Sequence, residues 1–172
     1  MKSVFLQNRY RLLRAKIALS IFLKGKVSLK KIFNAIHCWV AHKLGITKAS
    51  KFPFIINFEL WNECNAQCTF CRTEDGGIYD LNPANQEKSP IPKGKMSLEM
   101  YQDIIEQSKD HILLAILYVN GEPLMYTDLY KAIKFASDRG VATLISTNGE
   151  LLTEKNIQKL LDSGLDFIKI AI

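Results

Sequence analysis

Three cysteines fall within eight residues, Cys64-Asn65-Ala66-Gln67-Cys68-Thr69-Phe70-Cys71. The C-x3-C-x2-C spacing gathers three thiolates around one centre. A structural zinc site takes four ligands, normally as two separated pairs, and the fourth would have to come from His37, His42, His111 or Cys38. An iron–sulfur cubane is usually held by four cysteines; held by three, it keeps one iron with an open position, as a catalytic metal does. Two further stretches carry polar side chains beside turn residues, Asn120-Gly121-Glu122-Pro123 and Ser146-Thr147-Asn148-Gly149. Arg72, Lys93 and Lys95, near the cysteines in sequence, read as solvated charges.

All three stretches follow predicted strands. Phe54–Leu60 reads as a strand with the cysteines in the loop after it, and Ile112–Val119 and Val141–Ser146 precede the other two stretches. Helices are predicted from Ser97 to about Ser108, over Asp128–Arg139 and over Thr153–Ser163, and a last strand over Phe167–Ile172. Ser97, Thr127 or Asp128, and Thr153 supply the helix caps, with Gly140 and Gly164 as stops. The order β-α-β-α-β-α-β with right-handed crossovers gives a parallel sheet. In such sheets ligands bind at the carboxyl ends of the strands. Residues 72–95, rich in Gly and Pro, form a long connection of the kind that is usually functional.

The 172 residues suffice for one buried core. The net charge of +6 is uneven, because residues 1–50 hold 11 of the 23 Lys and Arg and no acid, whereas residues 51–172 carry −5. Residues 4–23 are helix-permissive, either as a solvated helix or as one that contacts a membrane surface or a partner. Ser28 caps a second helix whose stripe Leu29, Ile32, Phe33, Ile36, Trp39, Val40 and Leu44 should pack on the main domain. Cys38 is read as a buried small hydrophobe, and His37 and His42 as surface or half-buried imidazoles. The acid-free segment also fits a mitochondrial presequence. No aromatic-interleaved basic motif supports nucleic-acid binding. The longest apolar run, Ile112 to Val119, falls well short of the roughly 20 residues of a membrane helix. Clustered cysteines without a secretory leader favour a reducing, cytoplasmic setting.

The stretch Cys64–Cys71, with aromatic Phe70 just before the last cysteine, resembles the cluster loop of radical S-adenosylmethionine enzymes. Asn120-Gly121-Glu122-Pro123 resembles that family's Gly-Gly-Glu-Pro motif, with Asn120 where glycine is commoner. The resemblance covers about residues 54–172. It implies a partial (β/α)6 TIM-like barrel, here ending after about four strands, and a division into a basic helical extension, 1–50, and the N-terminal part of a core domain, 51–172.

The same resemblance implies a [4Fe–4S] cluster on Cys64, Cys68 and Cys71, chelated at its fourth iron by S-adenosylmethionine. An external one-electron reductant would feed that cluster, and a 5′-deoxyadenosyl radical would attack a peptide, sugar or other small molecule. Phe70 would pack near adenine, Asn120, Gly121, Glu122 and Pro123 would hold the methionyl ammonium, and Ser146 and Asn148 would contact ribose or carboxylate. The basic helices followed by this loop look like enzymes of the SPASM or twitch type, and the chain reads as a fragment of one. The residues alone also admit a non-catalytic metal-binding or electron-transfer module built on the same cysteines.

Overall fold

The computed structural model describes residues 15–47, 52–66 and 94–171. Helical residues 15–23 (α1) and helix α2 (Leu29–Leu44) precede strand β1 (Ile55–Asn57). Then come α3 (Leu98–Ser108), β2 (Leu114–Ile116), a 3-10 turn (Pro123–Met125), α4 (Leu129–Asp138), β3 (Ala142–Thr147), α5 (Glu154–Asp162) and β4 (Phe167–Ile170).

The helix starts are set by short polar side chains that accept from an otherwise unpaired amide. Ser28 accepts from the Lys31 amide, Ser97 from Met100 and Thr153 from Asn156. Asp128 precedes α4 without such a bond. Gly140, at φ +67°, turns the chain from α4 into β3.

The four strands are all parallel and lie in the order β1-β2-β3-β4. Each crossover therefore advances one strand in the same direction, the winding of a β/α barrel; a doubly wound sheet reverses its order. The expected partial TIM-like architecture is thus what the chain adopts. Its core joins Phe58, Leu60, Ala115 and Ile145 from the sheet region to Tyr101 and Ile105 of α3 and Leu129, Ile133 and Ala136 of α4.

The strands are shorter than the apolar runs that announced them. Phe58, Leu60, Ile112 and Leu117 are buried but lie outside the paired segments. Hydrophobicity reports burial, and here burial continues past the ladder. Beyond β1 the chain bends to meet its own return. Trp61 bridges antiparallel to Lys95, and the Met96 amide donates to the Leu60 carbonyl at 3.0 Å.

Helix α2 reverses the expected packing. The side it presents to the domain carries Lys31, Asn34 and Ala41, all buried, while Leu29, Ile32, Phe33, Ile36, Trp39 and Leu44 are exposed. The inward polar groups decide this orientation, because they satisfy carbonyls just ahead of the strands. Asn34 Nδ2 donates to Pro53 O at 3.2 Å and His111 O at 3.1 Å, and Lys31 Nζ donates to the carbonyls of Gly140 and Lys26. Cys38 is half-buried against the Phe52 carbonyl, and His37 and His42 are exposed. Among the described residues, no helix is long and apolar enough to cross a membrane.

Candidate functional site

The carboxyl ends of β1, β2 and β3 converge on one carboxylate. Glu122 follows β2 and is buried, 2% exposed. Its Oε1 accepts from the Leu124 amide at 3.1 Å and the Thr147 hydroxyl at 2.8 Å, and its Oε2 accepts from the Asn148 amide at 2.9 Å. Its own amide donates to the Glu63 carbonyl at 2.9 Å. Glu122 thereby caps the 3-10 turn that Pro123 opens and ties the loop after β1, the end of β2 and the end of β3 into one unit. A buried carboxylate is tolerated when its lone pairs are filled by such donors.

Gly121 permits the close approach this arrangement requires. A Cβ there would lie 2.1 Å from the Trp61 carbonyl oxygen and 2.8 Å from Asn62 Cα, both backbone atoms that a side chain cannot displace cheaply. Asn120, at the departure from the commoner glycine, uses its side chain: Nδ2 and the backbone amide both donate to Glu59 Oε1, at 2.6 and 3.2 Å.

Above this floor lies Cys64, exposed and free. Its sulfur accepts from the Ala66 amide at 3.4 Å and from Asn148 Nδ2 at 3.6 Å. The same Asn148 nitrogen donates to Asn65 Oδ1 at 3.0 Å, and Asn65 Nδ2 donates to Glu150 at 2.6 Å. Two N–H groups aimed at one sulfur stabilise the negative charge that a metal-ligating thiolate carries. An accessible thiol with such donors, at the ligand-binding end of a parallel sheet, fits an iron–sulfur centre.

Ser146 is half-buried and paired in register with Lys169. Of that pair of expected contacts, Asn148 is the one brought to the cysteine loop. Phe70, Cys68 and Cys71 lie outside the described residues, as does most of the connection 72–95. Where that connection returns, the Gly94 amide donates to Asn62 Oδ1 at 2.8 Å, and Tyr126, its phenol pushed up from the ordinary range chiefly by burial, donates to the Met96 carbonyl at 2.9 Å. Sequence reasoning missed Glu59 and Thr147. Both left a signal: Glu59 is the one acid inside the run Phe54–Leu60, and Thr147 stands in the Ser-Thr-Asn-Gly stretch already singled out.

The sequence pattern of the Radical SAM superfamily matches residues 58–172. An S-adenosylmethionine-dependent nucleotide dehydratase of Flammeovirga pacifica is 32% identical over 117 residues, which is 68% of this chain and 37% of that protein. An AdoMet-dependent heme synthase of Nitratidesulfovibrio vulgaris is 30% identical over 118 residues, covering 69% and 29%. The chain thus spans about a third of the length of these curated relatives. Among solved structures, BtrN in complex with AdoMet and 2-DOIA superposes with a TM-score of 0.53 at 25% identity, covering 70% of this chain and 46% of that one. SuiB of Streptococcus suis bound to S-adenosylmethionine gives 0.53 at 19% identity, over 80% and 27%, and speaks for the fold alone.

Proposed function

Because the chain belongs to the radical SAM superfamily, we propose that Cys64, Cys68 and Cys71 hold a [4Fe–4S] cluster whose fourth iron is left to the amino and carboxylate groups of S-adenosylmethionine. When bound, the cluster would supply one electron, drawn from an external reductant, to split a carbon–sulfur bond of S-adenosylmethionine into methionine and a 5′-deoxyadenosyl radical that takes a hydrogen atom from the substrate. The observation that carries this reading is the meeting of Cys64 with Asn148 directly beside the Glu122 junction.

The chain's own residues supply position and polarity. Asn148 orients Cys64 and Asn65, while Glu122 fixes Asn148 through its backbone amide. The Glu122 carboxylate accepts from three protein donors, so the acceptors offered to the methionyl ammonium are its remaining Oε2 lone pair and the backbone carbonyls around Asn120 and Gly121, with Pro123 setting the turn. Phe70 serves adenine, and Ser146 serves the ribose or carboxylate. The substrate is a peptide, a sugar or another small molecule. Residues 51–172 form the N-terminal part of the core domain and residues 1–50 a basic extension of it.

Anaerobic reconstitution tests the assignment. About four irons and four sulfides per chain are expected, with a paramagnetic signal after reduction that changes when S-adenosylmethionine is added. Cys64→Ala, Cys68→Ala and Cys71→Ala should each lose the cluster. Stoichiometric zinc, or a centre indifferent to S-adenosylmethionine, would establish the non-catalytic module in its place.

A further inference from the structure

The inverted helix α2 leaves a broad apolar surface facing outward. Phe22 of α1 and Leu29, Phe33, Ile36, Trp39 and Leu44 of α2 are each more than half exposed. In an ordinary surface helix this stripe faces the core and the polar side faces water. Here the polar side of α2 is committed inward: Lys31 and Asn34 bond backbone carbonyls. Rotating α2 to hide its stripe would break those bonds, so the stripe stays outside by construction.

The charge around this face selects its occupant. No acid occurs in residues 1–50, and Lys16 and Lys43 are exposed on the two helices. The sequence ahead of residue 15 adds Lys2, Arg9, Arg11 and Arg14. A second copy docked on the same face would bring two acid-free basic surfaces together. An anionic lipid surface offers the opposite charge and an apolar layer just beneath it, and Trp and Phe suit that boundary. We propose that the outward face of α1 and α2 seats this chain in the plane of an anionic phospholipid bilayer, with Phe33, Ile36 and Trp39 entering the acyl boundary.

Flotation of the purified full chain with vesicles of phosphatidylcholine plus phosphatidylserine, beside phosphatidylcholine alone, tests this. Binding is expected to the mixed vesicles only, to weaken as salt is raised, and to fall on the order of tenfold for Phe33→Asp or Trp39→Asp. Both side chains are exposed, so circular dichroism and melting of the variants should match the parent chain. Failure to float with anionic vesicles overturns the proposal, as does equal binding to both kinds of vesicle. A parent chain that is dimeric, with monomeric Asp variants and no vesicle affinity, would assign the face to a second copy and equally overturn it.

Discussion

Glu122 is a structural junction. One buried carboxylate receives the Leu124 and Asn148 amides and the Thr147 hydroxyl, so its removal strands donors on two strand ends at once. Glu122→Gln should cost on the order of 1–3 kcal/mol in denaturant unfolding, because an amide cannot accept from all three. Gly121→Ala should be at least as damaging, since its methyl meets the Trp61 carbonyl at 2.1 Å. Both variants should retain less iron after reconstitution, and normal iron content in either would separate this junction from the cysteine site. At this scale the sequence was informative about residue types and less so about what they touch. The Glu122–Pro123 pair was visible as a site, whereas the inward turn of the carboxylate depends on Thr147 and Asn148 arriving from a strand 25 or so residues later.

Helix α2 marks where pattern reading fails. Its periodicity, cap and length were legible, because they arise within the helix itself; its facing was not, because that depends on carbonyls at Pro53, His111 and Gly140 waiting for donors. Lys31 carries the cost. Burial lowers its pKa to about 8, with Asp110 opposing that shift and Lys26 adding to it. Between about pH 8 and the ordinary lysine range the unfolded chain binds a proton that the folded chain releases, so this residue's contribution to stability improves as pH rises through that window and its penalty is complete below it. Unfolding curves for the parent chain and Lys31→Met from about pH 7 to about 10 should diverge in the parent's favour as pH increases. A constant difference would contradict the shift.

Across the whole molecule, Asp166 helps to tie the basic extension to the sheet. Asp166, its side chain 1% exposed, pairs with Lys26 at 2.7 Å and Lys24 at 3.0 Å and accepts from the Thr143 amide at 2.9 Å. Part of the N-terminal positive charge that composition flagged is therefore consumed internally. Asp166→Asn should lower stability by about 3 kcal/mol, the scale for breaking a buried pair. Amide exchange in α1 and α2 should accelerate more than in α4, and unchanged exchange there would show that the apolar contacts of Ile21 with Leu114 and Ala142 suffice. The all-parallel pairing was readable from the β-α alternation, as was the end of the sheet where Cys64 lies, whereas the strand order followed from the family resemblance, since alternation alone also suits a doubly wound sheet.

The sheet also has a direction. Helix α2 grips carbonyls at the start of the strands, while Cys64, Glu122 and Asn148 meet where the strands finish. The six residues of β3 separate these poles by about 20 Å. Whatever occupies the outward side of α2 therefore sits at the pole away from Cys64, Glu122 and Asn148, and an anchor there does not contend with them for space.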